Sequence, residues 1–104
     1  MLFQLFKKKP SISTKELQSR LSKEITLLDV RTPSEYRAGH IPQAINVPLN
    51  KIPAYNKSAN AVYVICQSGM RSKNAAKILA RKNYHVINFR GGMSQWSGKI
   101  KGGK

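Results

Sequence analysis

The run AVYVI, Ala61 to Ile65, is apolar at both sets of alternating positions and rich in β-branched residues. Successive side chains of a strand point to opposite faces, so this strand has to be buried on both of them. That condition removes any fold in which one face of the sheet meets water at its centre. Apolar residues return at helical spacing from Arg71 to Asn83. Ala75, Ile78, Leu79 and Lys82 fall on one side, and Ala76 and Ala80 lie beside it. VINF, Val86 to Phe89, then reads as a further strand. Upstream, TLLDV (Thr26 to Val30) and AINVP (ending at Pro48) are two more short β-type runs.

Helix starts are marked between them. STKE, Ser13 to Glu16, is a capping box before LQSRL, and TPSE, Thr32 to Glu35, is a second one with Pro33 at the first helical position. Gly39 ends that short helix. LNKIPAYNKSAN is a turn-rich connection with room for one helical turn, and GGMSQW turns into a short last helix. Strands alternating with helices predict an α/β domain with a mostly parallel sheet. With 104 residues the chain has length for one core. We place that domain at residues 11–98, after an N-terminal basic and apolar tail (1–10) and before a disordered basic tail, KIKGGK (99–104).

Charge and cysteine usage narrow the class. Nineteen Lys and Arg face four Asp and Glu, a formal charge of +15. Such a field attracts anions of any size. The basic residues are scattered, and neither zinc-finger spacing nor an RNA-recognition aromatic motif is present, so a solvated basic surface is expected rather than specific nucleic-acid binding. The start, MLFQLFKKK, has its charges after its apolar residues, the reverse of a secretory signal. Leu2, Phe3, Leu5 and Phe6 are read as packing on the domain or fraying. No apolar stretch approaches the length of a membrane span. A single cysteine cannot close an internal disulfide, which suits a reducing, cytoplasmic compartment.

That cysteine, Cys66, stands where AVYVI stops and the polar turn QSGMR begins. In an open α/β sheet, ligands bind beyond the carboxyl ends of the strands. Gly69 lets the backbone curl, successive N–H groups can converge on one point, and the following helix adds its positive end. A thiol at that focus loses its proton more readily. A buried cysteine of the core is the plain alternative, but the polar turn, Gly69 and Arg71 count against it. Four residues separate Cys66 from Arg71. Phosphate-handling cysteine loops carry one residue more there, and a histidine where this chain has Ile65. The smaller ring suits one sulfur atom bound on sulfur, a persulfide.

Three blocks together resemble the single-domain rhodaneses, a family of sulfurtransferases. LLDVRTPSEYRAGHIPQAINVPL (Leu27 to Leu49) is similar to the family's first motif, YVICQSGMRS to its active-site loop, and INFRGGMSQW (Ile87 to Trp96) to its closing motif. The resemblance implies a five-stranded parallel sheet with helices on both faces and no cofactor. It implies that Cys66 is the nucleophile, taking sulfane sulfur from thiosulfate or a small persulfide and passing it to cyanide or a thiol. Gln67, Ser68, Gly69, Met70 and Arg71 would form the cradle, with Arg71 either bracing the loop or holding the donor's anionic end. Asp29 and Arg31 would support it from the first motif, Asp29 pairing with Arg31 or Arg71. Glu35 is accounted for by its capping box, Arg37 and His85 by solvent exposure, and Trp96 by packing beneath the closing motif. His40 is mainly structural in the family, Arg90 flanks the pocket, and Met70 either favours a less polar acceptor or fills space. One Cys and two separated His give no metal-ligand spacing. A monomer is expected. The rival reading is a carrier module with the same Cys66 but negligible turnover, docking on an acidic protein partner.

Overall fold

The computed structural model describes residues 11–21, 24–59 and 61–104. The N-terminal expectation for Leu2 to Phe6 lies outside them. Five strands form one parallel sheet: β1 (Ser11–Ile12), β2 (Thr26–Asp29), β3 (Ile45–Asn46), β4 (Val62–Ile65) and β5 (Val86–Phe89), in the order β1-β5-β4-β2-β3. The helices are α1 (Thr14–Arg20), α2 (Pro33–Ala38) and α3 (Met70–Arg81), with 3₁₀ segments at Leu49–Ala54 and Met93–Gln95. The doubly apolar run is the middle strand, and all four residues of β4 are buried.

The alternation of side chains sorts the core into two layers. Leu27, Tyr63, Ile65, Ile87 and Phe89 point to one face, where Leu17 of α1 and Ile41 join them. Leu28, Val62, Val64, Cys66 and Val86 point to the other, against Ala75 and Leu79 of α3 and Ile52 of the first 3₁₀ segment. Helical segments therefore cover both faces. Both capping boxes form: the Ser13 and Thr32 hydroxyls each accept from the backbone three residues on, while Glu16 and Glu35 reach back to the cap. Pro33 takes the first turn, where its missing N–H costs nothing.

The chain departs from the sequence expectation in four places. β1 was not foreseen: two residues carry no periodicity, and only pairing with Asn88 and Phe89 of β5 makes them a strand. α3 begins one residue early, at Met70, with Gly69 as its cap at φ 100°. On its inward side Lys82 is exposed and donates to the Pro53 carbonyl instead, while Ser72 is the buried polar residue. The C-terminal segment, expected to be disordered, pairs antiparallel with His40: Lys101 and His40 exchange both backbone bonds, at 2.8 and 2.9 Å, and Gly103 N–H donates to Arg37 O. Those bonds satisfy main-chain groups left free where α2 ends.

Strand order fixes where a ligand can enter. From β2 the chain moves outward to β3, and from β4 it moves the other way to β5. The crevice at which the direction reverses lies between the carboxyl ends of β2 and β4. Asp29, Val30 and Arg31 close one strand there, and Cys66 closes the other.

Candidate active site

Cys66 is 1% exposed, packed in the α3 layer of the core with its sulfur under the turn that follows. Gly69 N–H donates to Sγ at 3.0 Å, and the Ser72 hydroxyl lies 3.5 Å away. Burial pushes the thiol up. Donors from the Ser72 hydroxyl and from the backbone N–H groups of Ser72, Gly69 and Ser68 outweigh it and pull the thiol below its ordinary value. Ser72 was missed by the sequence reading. Its signal is present: two residues into α3, on the same face as Ala75 and Leu79, a polar residue on an apolar stripe needs a partner.

The turn is held in shape from outside itself. The closing motif folds over it and grips its carbonyls: Met93 N–H donates to Cys66 O at 2.7 Å and Ser94 N–H to Gln67 O at 3.0 Å. These contacts explain two glycines. A Cβ on Gly92 would lie 2.5 Å from Gln67 O and 2.7 Å from Cys66 O. One on Gly69 would lie 2.2 Å from Arg90 O, at a backbone φ that side chains rarely adopt. Close backbone approach thus joins Gly69 to the segment around Arg90, which the sequence placed beside the pocket.

The charged residues divide into two sets. Asp29 and Arg31, both buried, form a forked ion pair, with Nη2–Oδ2 at 2.8 Å and Nε–Oδ1 at 3.0 Å. The remaining donors of Arg31 reach Gly39 O and the Gln67 side-chain oxygen, so the first motif is tied to the cysteine turn. Of the two partners considered for Asp29, Arg31 is the one it has. Arg71 pairs with Glu35 of α2 through two bonds, 2.6 and 3.0 Å. That corrects the reading of Glu35 as a capping residue alone. The same carboxylate accepts from Thr32 N–H at 2.9 Å, and the Arg71 guanidinium, the largest influence, holds its pKa down at about 2.

His40 is not brought to the sulfur. It is 1% exposed, its Nδ1 lies 2.8 Å from the Tyr36 carbonyl, and its ring stacks on Tyr36. Trp96 packs edge-on to Phe89, while Arg37 and His85 are exposed. Met70 is 72% exposed, so it fills no space in the core and stands at the rim of the turn. Among the described residues no cluster of His, Cys, Asp or Glu could hold a metal ion. No helix among them is long and apolar enough to cross a membrane.

Residues 13–99 match the family model for the rhodanese-like domain. This chain belongs to the rhodanese-like family. It is 35% identical over 92 residues to a protein of Allochromatium vinosum named sulfurtransferase, covering 83% of this chain and 86% of that one. The fold is also that of the crystal structure of a rhodanese-like domain protein from Staphylococcus aureus, with a TM-score of 0.81 and 32% identity over 91% of this chain and 99% of the other. A human single-domain sulfurtransferase superposes with a TM-score of 0.76 at 27% identity, covering 86% of this chain and 96% of that one. In the rhodanese-like frame, the switch-point crevice, the cysteine turn and the closing motif are one unit.

Proposed function

We propose that this rhodanese-like protein is a sulfurtransferase that carries sulfane sulfur as a persulfide on Cys66. The observation that carries the reading is the set of backbone N–H groups converging on Sγ from Gly69, Ser68 and Ser72 at the mouth of the switch-point crevice. The Cys66 thiolate attacks the outer sulfur of thiosulfate, the sulfur–sulfur bond of the donor breaks, and sulfite leaves with the electron pair. The bound persulfide is an anion of the same charge as the thiolate it replaces, so the same N–H groups and helix end hold it. Cyanide or a thiolate then attacks the terminal sulfur. Thiocyanate or a new persulfide leaves, and the electron pair returns to Cys66. No oxidant or reductant is consumed.

In this reading Gln67 to Arg71 shape the cradle, and Arg71 braces it through Glu35. Asp29 and Arg31 position the turn through Gln67. With no second cysteine the chain cannot resolve its own persulfide as a disulfide. The loaded form therefore waits for an outside acceptor. Intact mass after thiosulfate exposure should show one added sulfur atom, stable through desalting and lost on adding cyanide. Cys66→Ser should neither load nor form thiocyanate while keeping its circular dichroism. Thiocyanate formation by that variant at the wild-type rate would sink the proposal. Loading from glutathione persulfide but not from thiosulfate would keep the transferase and change its donor.

A further inference from the structure

A groove of about 910 Å³ starts at Ser68 and Met70 of the cysteine turn and runs along the outer side of α3 to Tyr84. Thiosulfate or cyanide would occupy a small fraction of it. Pockets of this size hold molecules far larger than the small sulfur donors. Its wall carries Lys73, Lys77 and Arg81, spaced four residues apart on one stripe of the helix. Among the described residues that line it, none is acidic. Ala76 and Ala80 keep the floor low between the cations. On the opposite wall stands Asn88 of β5, a half-buried neutral residue.

We infer that this groove docks an extended acidic segment of a protein that exchanges sulfur with Cys66, delivering a cysteine thiol to the turn. The inference rests on the sulfur-transfer reading of Cys66. Spacing supports the occupant. Four residues of helix advance about 6 Å, and alternate side chains of an extended chain recur about every 6.6 Å. Acidic residues at every second position of such a segment fall opposite Lys73, Lys77 and Arg81 in turn. Its end reaches Met70. A nucleic-acid strand also offers regular charge, but it needs stacking surfaces along its length, and among the described residues the groove's rings, Tyr84 and His85, sit together at its far end. In the exchange, the segment's cysteine thiolate attacks the terminal sulfur of the Cys66 persulfide. That sulfur–sulfur bond breaks, the electron pair returns to Cys66, and the segment leaves as a persulfide.

The probe is a fluorescein-labelled peptide alternating glutamate with serine and ending in cysteine. Fluorescence anisotropy with the unloaded protein should show binding that weakens as salt rises. Lys77→Glu with Arg81→Glu should weaken it about tenfold or more, since each reversal removes an attraction and adds a repulsion. Lys15→Glu with Lys99→Glu changes the net charge equally outside the groove and should cost far less. The groove variant should also discharge loaded Cys66 to the peptide about tenfold more slowly, with discharge to cyanide within about twofold of wild type. Equal losses in the two double variants would reduce the effect to net charge and overturn the inference. So would unchanged binding in the groove variant, equal binding of a glutamine-for-glutamate peptide, or tighter groove binding of an oligothymidylate of matched charge. If Cys66 fails to load at all, the sulfur-transfer reading falls, and the anisotropy arm still reports on the groove independently.

Discussion

Removing one hydroxyl, in Ser72→Ala, tests how the turn holds a negative sulfur. Ser72 has one hydroxyl proton and two acceptors within reach, the Gly69 carbonyl at 3.2 Å and Cys66 Sγ at 3.5 Å. With a neutral thiol the proton serves the carbonyl and the S–H points at the serine oxygen. To stabilise the thiolate, the hydroxyl turns to sulfur and gives up the carbonyl. A bond to a charged group contributes about 2 kcal/mol and a neutral one about 1, and the S–H bond given up is weak, so the exchange favours the thiolate by at most about 1 kcal/mol. That is at most about fivefold in the ionisation constant. The backbone donors from Gly69, Ser68 and Ser72 itself survive in the variant, so the cradle persists. The chain has one cysteine, which makes iodoacetamide alkylation against pH an unambiguous readout. The wild-type midpoint should lie below the roughly 8.5 of free cysteine. In the variant it should move upward, with up to about fivefold slower alkylation on the acid side and an unchanged plateau. An unmoved midpoint would refute the role of the hydroxyl. A loss far beyond tenfold, with altered circular dichroism, would refute the claim that the cradle stands without it.

Glu35 has its folded-state pKa lowered from 4.5 to about 2, so its bond to Arg71 stabilises the fold fully above 4.5 and is lost as pH falls through about 2. The Tm gap between wild type and Glu35→Gln should be largest above that window and vanish at its acid end. Gly92→Ala forces a Cβ against the Cys66 and Gln67 carbonyls and should cut thiocyanate formation by more than tenfold, and wild-type turnover would show that the clasp does not shape the turn. Leu79→Ala, at a fully buried position under β4, should lower stability by about 2–5 kcal/mol in urea denaturation; a loss under 1 kcal/mol would mean that this layer repacks freely. Aryl phosphates should show no turnover that depends on Cys66, because the turn is one residue short for phosphate.

The sequence by itself determined the elements whose information is local. Capping boxes at Ser13 and Thr32, the doubly apolar β4 and the glycine after Cys66 each act within a few residues, so their geometry follows from their own chemistry. The position of the thiol at a strand end was legible for the same reason. Tertiary structure alone decided what holds the turn around that thiol. Strand order puts Arg31 beside Gln67 and Glu35 beside Arg71, pairs separated by 36 residues. It lays Met93 and Ser94 on the backbone of the cysteine turn, and it makes a strand of Ser11–Ile12 and a paired segment of Lys101. Such bonds run through backbone N–H and C=O groups, which every residue except proline shares alike, or through charges with several available partners. Residue type cannot choose among these, and only the folded sheet brings one partner within reach.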